Sequence, residues 1–167
     1  MCLTTVILSI FILASLSGAS EISENAIKMP IIMYHSVLKD KSSQNDYVIS
    51  PDLFESDLKY FQENGYTTVT VNDLIDYVYS DKALPDKCVM LTFDDGYYNN
   101  YKYVFPLLKK YNAKAVISPV AKFSEDFTAT GEENANYGHL LKKNIKEMYV
   151  SGLVEFQNHS YNCLLYT

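Results

Sequence analysis

Two adjacent carboxylates, Asp94 and Asp95, follow the apolar run Cys88-Val89-Met90-Leu91-Thr92-Phe93 and precede Gly96. Neighbouring carboxylates repel each other, so a site that keeps both charged needs a cation beside them. One could hold a metal while the other takes a proton from water. The competing reading is a turn, in which one Asp caps the next helix and the other is solvated. His159 supplies the partner that the metal reading needs, because a neutral imidazole at a strand end suits zinc or a similar divalent ion. His35 ends a second apolar run, Met29-Pro30-Ile31-Ile32-Met33-Tyr34, and could line the same site. His139 stands in polar sequence and reads as solvated.

The elements that must position these residues alternate between strand and helix. The run from Met29 reads as a buried strand. Ser50 caps a helix with Pro51 at its first position and Asp52 in its first turn. Phe54, Leu58 and Phe61 share one face of that helix, and Gly65 ends it. Thr67-Thr68-Val69-Thr70-Val71 reads as a strand, and Asn72 as the cap of a second helix carrying Leu74, Ile75 and Val78. The run from Cys88 is the clearest buried strand. A helical stretch over 97–111 follows, with Pro106 kinking or restarting it. Ala115-Val116-Ile117-Ser118-Pro119-Val120 reads as a strand and 123–137 as a polar loop. A helix over 140–149 then leads to a last strand, Leu153-Val154-Glu155-Phe156-Gln157. Such alternation implies parallel strands with crossover helices, in an open sheet or a barrel. In both, ligands sit at the C-terminal ends of the strands, which is where His35, Asp94-Asp95 and His159 fall.

The chain has 167 residues, 48% of them hydrophobic, enough for one domain with a core. Its net charge of -6 argues against nucleic acid as a partner, since phosphate binding needs a basic surface. Residues 1–20 carry no charge, and their apolar centre is followed by Ser17-Gly18-Ala19. That layout fits a secretory signal, or a membrane anchor if it stays uncleaved. Residues 21–28 read as a linker and 29–167 as one partial domain. Cys88 reads as a small buried side chain; pairing with Cys163 is possible, but nothing in the spacing demands it.

Thr92-Phe93-Asp94-Asp95-Gly96 resembles the first motif of the polysaccharide deacetylases, the family with the NodB homology domain. Asn158-His159-Ser160-Tyr161-Asn162 is similar to the start of the second motif. Ile31-Ile32-Met33-Tyr34-His35-Ser36, Gly65-Tyr66-Thr67-Thr68-Val69 and Leu84-Pro85 resemble the branch acting on exported polysaccharides. The resemblance spans about 29–162. It implies a distorted (β/α) barrel and hydrolysis of N-acetyl or O-acetyl groups on an amino-sugar polysaccharide outside the cytoplasm, with a divalent metal, zinc being favoured. It implies Asp94 as general base and Asp95 and His159 as metal ligands; His35, from its place at a strand end, is a candidate substrate-binding residue, with a structural strand-end histidine as the alternative. Tyr97 and Tyr98 could stack on sugar rings, although with 15 tyrosines packing is the default.

The sequence departs from the family pattern at Cys163 and Leu164, where the second motif would place another metal-binding His. The later motifs, with an Arg, an oxyanion-binding amide and a general-acid His, have no counterpart. A thiolate from Cys163 suits a closed structural zinc site better than a hydrolytic one. The expectation is an incomplete barrel lacking its last strands, cut by a premature end or a shifted frame, with weak metal binding and little activity. An inactive glycan-binding remnant and a non-functional fragment are the alternatives.

Overall fold

The computed structural model describes residues 27–162. Its centre is a parallel sheet of five strands: β1 (Ile31–Tyr34), β4 (Thr67–Val69), β5 (Cys88–Asp95), β6 (Ala115–Pro119) and β7 (Val154–Phe156). The long β5 lies in the middle. It pairs with β1 (Ile31 opposite Met90), with β4 near its start (Thr67 opposite Cys88) and with β6 near its end (Asp95 opposite Pro119); β7 pairs onto β6. A separate two-stranded parallel ribbon joins β2 (Ser36–Val37) to β3 (Val48–Ile49). The crossover helices are α1 (Pro51–Glu63), α2 (Val71–Tyr79), α3 (Phe105–Tyr111), α4 (Ala121–Thr130) and α5 (Lys142–Val150).

Period-two alternation in β5 splits the core. Val89, Leu91 and Phe93 face the larger cluster, which holds Phe54 and Leu58 of α1, Phe105 and Leu108 of α3 and Met148 of α5. Tyr34, Phe54 and Phe93 form an aromatic trio there, with ring centroids 5.0–5.4 Å apart. Cys88 and Met90 face the other side with Val69, Leu84 and Val116, against Val71 and Leu74 of α2. Asp94 follows them on that second face. Cys88 is a buried free thiol, as its apolar setting implied.

Several expectations need correction. The first strand is only half buried: Ile32 and Tyr34 join the core, whereas Ile31 and Met33 are each 59% exposed. β1 is an edge strand whose second face is largely open among the described residues. The strand at Thr67 stops at Val69, because Thr70 and not Asn72 caps α2. The Thr70 side chain accepts the Asp73 N–H while the Asp73 carboxylate accepts the Thr70 N–H, a reciprocal capping box. Of the expected loop at 123–137, residues 123–130 instead belong to helix α4 (Ala121–Thr130). The Ser50 cap, Pro51 start and helix break at Asn64-Gly65 are as expected.

Before α3 the helix widens into one π-turn, Asn100–Val104. Phe105 N–H reaches back to the Asn100 carbonyl, and Pro106 has no N–H with which to continue the tighter ladder. Here Pro106 restarts the helix, and the wide turn buries Asn99 and Asn100 completely.

The core also sets an alkaline limit on the fold. Burial, then the Asp57 carboxylate that accepts its hydroxyl at 2.9 Å, pushes the Tyr34 phenol far above its ordinary range. Burial and the Glu133 carboxylate push Tyr98 up to about 12. A group that titrates higher folded than unfolded contributes its stability below the unfolded value, near pH 10, and loses it as pH rises towards the folded one. The melting temperature should therefore fall between about pH 10 and about pH 12. The fall should be shallower in Tyr98→Phe; an equal pH slope in that variant would contradict this assignment.

Candidate active site

All five strands run the same way, so their C-terminal ends share one edge, and the sequence-predicted residues meet there. Asp94 and Asp95 end β5, His35 follows β1, and His159 lies three residues beyond β7. His35 Nε2 is 3.9 Å from Asp94 Oδ2, and His159 Nε2 is 3.7 Å from Asp95 Oδ1. Both separations are too long for hydrogen bonds. Neither carboxylate accepts a hydrogen bond from any described residue, although the Asp95 side chain is only 16% exposed. No described helix is capped by either Asp, which disposes of the turn-and-cap alternative.

The turn after β5 is unusual. Asp95 and Gly96 both take left-handed backbone, at φ 65° and 64°. A non-glycine residue there is uncommon, and Asp is among those that tolerate it. Gly96 has no such freedom, since a Cβ would come within 2.5 Å of Pro119 Cβ. Backbone bonds fix the turn. Gly96 N–H donates to the Asp94 carbonyl (2.8 Å), Leu140 N–H to the Gly96 carbonyl (2.8 Å) and Tyr98 N–H to the Gly138 carbonyl (2.7 Å).

His159 is carried along the end of β6. Gln157 N–H donates to the Ile117 carbonyl (3.0 Å), Ser160 bridges to Val120, and Ala121 and Lys122 N–H groups donate to the Ser160 and Tyr161 carbonyls. The Ser160 hydroxyl, beside His159, is buried without a hydrogen-bond partner among the described residues. His35 is fixed by the paired asparagines of the π-turn. Asn100 Nδ2 donates to the His35 carbonyl (3.0 Å), while Asn99 accepts from Val37 N–H (3.0 Å) and donates to Ser36 Oγ (2.8 Å). The Tyr47 ring meets the His35 ring edge-on at 5.2 Å.

One residue departs from expectation, and Tyr98 follows the packing default. His139 is buried, not solvated. Its ring stacks on Tyr97 and lies against Phe123 and Phe127, and its Nδ1 is 3.1 Å from the Asp95 carbonyl. Burial pulls its proton affinity below the ordinary imidazole value. Tyr98 is buried in packing against Tyr101 and Glu133. A hollow of about 500 Å³ lies at the opposite end of the strands, around Tyr66, Thr67, Lys82 and Lys114, and takes no part in this site.

The Asp95–His159 pair has the spacing of two zinc ligands. Two tetrahedral ligands at about 2.0–2.1 Å from the ion stand about 3.4 Å apart, close to the Asp95–His159 separation. Carboxylate and imidazole are both suitable donors, so the pair fits two corners. Among the described residues no group of three or more His, Cys, Asp or Glu side chains gathers to complete a metal site. Cys163 lies outside the described residues, as does the 1–20 segment. No described helix is long and apolar enough to cross a membrane.

The class is thus a parallel α/β sheet protein that gathers paired carboxylates and two histidines at the carboxyl edge of its strands. Residues 81–167 match the family model for polysaccharide deacetylase, and the chain belongs to that family. It is 36% identical over 138 residues to YxkH of Bacillus subtilis (strain 168), named for polysaccharide deacetylase, covering 83% of this chain and 44% of that protein. It is 32% identical over 121 residues to the poly-beta-1,6-N-acetyl-D-glucosamine N-deacetylase of Staphylococcus aureus (strain N315), covering 70% and 38%. The fold matches a de-N-acetylase from Aggregatibacter actinomycetemcomitans with a TM-score of 0.69 and 33% identity, over 80% of this chain and 55% of that one. The chain thus spans less than half the length of these two relatives.

Proposed function

We propose that the chain carries the base and two metal ligands of a zinc-type deacetylase that removes N-acetyl groups from an amino-sugar polymer outside the cytoplasm. The observation that carries this reading is the pairing, at one sheet edge, of Asp95 with His159 at 3.7 Å and of Asp94 with His35 at 3.9 Å. The named activity of the Staphylococcus aureus relative supports the substrate class. The apolar leader at 1–20 supports export; cell fractionation checks it.

Asp95 and His159 would hold the cation, which supplies Lewis-acid activation of the acetyl carbonyl and of the attacking water. Asp94 is free to act as base because no described donor occupies its oxygens. It would accept the proton from water at a carboxylate oxygen. His35, within 4 Å of Asp94 Oδ2, lies where a sugar hydroxyl or amide would approach that oxygen. Asn99 and Asn100 keep its backbone in place.

Zinc titration by calorimetry should give one site that weakens on both Asp95→Ala and His159→Ala. Acetate release from N-acetylglucosamine oligomers with zinc present should stop on Asp94→Asn. Zinc binding indifferent to both alanine variants would sink the reading. The lack of a third ligand among the described residues favours a second reading, a glycan-binding domain without turnover. Zinc-independent oligomer binding with no acetate release would select it.

A further inference from the structure

We infer that His139 is a positioning residue for Asp95: its Nδ1–H holds the Asp95 carbonyl, and so holds the left-handed turn that aims the Asp95 carboxylate at His159. This rests on the reading of Asp95 and His159 as metal ligands.

A carbonyl oxygen only accepts, so the 3.1 Å contact requires the proton on Nδ1. Among the described residues the Asp95 carbonyl has one other partner, the Val120 N–H at 3.3 Å, which is long. The imidazole is thus the closer of the two described groups that hold the Asp95 carbonyl. It is itself held on several sides. Tyr97 stacks on it with centroids 4.9 Å apart, Phe123 lies at 4.6 Å and Phe127 at 5.7 Å. The backbone on either side is tied down as well, by Tyr98 N–H on the Gly138 carbonyl and Leu140 N–H on the Gly96 carbonyl. Gly138 permits this approach, since a Cβ there would meet the Asn134 carbonyl oxygen at 2.5 Å. An apolar ring would fill the aromatic cage as well as an imidazole does. What only the imidazole adds is the donor aimed at Asp95.

Ring and donor are separable. His139→Phe keeps the ring and removes the donor; His139→Asn keeps an N–H near the Nδ1 position and removes most of the ring. Zinc affinity by calorimetry and thermal unfolding would be measured on the full chain, with Asp95→Ala as reference. His139→Phe should melt within about 2 °C of the parent yet bind zinc about tenfold more weakly, the usual cost of losing a group that orients a ligand. His139→Asn should melt lower but keep affinity within about threefold. Any other pattern in the folded variants overturns the inference, above all affinity that simply follows melting temperature. If Asp95→Ala itself leaves zinc affinity unchanged, the metal reading fails and not merely the role of His139.

Discussion

Asp95→Asn is expected to abolish most metal binding while leaving the metal-free fold as stable as before, or slightly more so. The two effects have different sources. The carboxylate is one of only two described ligands, and altering a group that merely orients a ligand already costs 10- to 100-fold, so losing the anion itself should cost on the order of 100-fold or more. The fold, by contrast, asks nothing of the charge. No described residue donates a hydrogen bond to the Asp95 side chain, and His159 stands 3.7 Å away. Asn tolerates the 65° φ at least as well as Asp does. Removing one of two adjacent like charges relieves a repulsion of about 1 kcal/mol at an effective dielectric between bulk water and protein surface. The metal-free melting temperature should rise by about 2 °C. A residue kept for structure would show the reverse, a lower melting temperature with metal affinity little changed. Calorimetry and thermal unfolding on one preparation separate the cases.

How the site is legible in the sequence follows from where its residues sit. β5 announces itself as an unbroken apolar run ending in two carboxylates, so the placement of Asp94, Asp95 and the edge they share with His35 and His159 could be argued before any coordinates. His139 was hidden because the stretch before it, Glu132 to Asn136, is mostly polar, and the Leu140-Leu141 pair after it read only as the start of a helix, whereas its neighbours in space are aromatic. Phe123 and Phe127, one helical turn apart, were the available signal. They sit in α4, whose first turn has no side-chain cap and whose exposed face is polar, so neither a start signal nor a broad apolar stripe marked it. Thr70 was absorbed into the strand before it because β-branched residues favour strands, yet its hydroxyl pairs with Asp73 and begins α2. The exposed face of β1 could not be read from Ile31-Ile32-Met33-Tyr34, since a continuous apolar run does not say which neighbours cover it. The asparagine pair that holds His35 depends on a π-turn, a feature with no sequence period of its own.

Gly96→Ala should be among the most destabilising single changes in the chain. Two independent costs fall on one atom. At a φ of 64° an L side chain costs roughly 1–2 kcal/mol. The added Cβ would also stand 2.5 Å from Pro119 Cβ and 2.8 Å from Pro119 Cα, and a proline ring at the end of β6 cannot swing aside as a flexible side chain would. Forcing a methyl into such a contact typically costs a further 1–3 kcal/mol. The sum, about 2–5 kcal/mol, is a large part of a typical domain's total stability. Gly152→Ala provides the control. Its φ is 73°, but nothing lies within 4 Å of its would-be Cβ, so only the conformational cost applies there. The difference between the two variants in denaturant unfolding measures the clash alone, about 1–3 kcal/mol. The site should register it too. Pro119 pairs with Asp95 across the sheet, so displacing it moves the carboxylate that faces His159. Gly96→Ala should therefore weaken zinc binding as well as stability, whereas Gly152→Ala lowers stability alone. Equal losses of stability in the two variants would mean that β6 yields freely at Pro119, and the turn after β5 would then be far less rigid than its hydrogen bonds require.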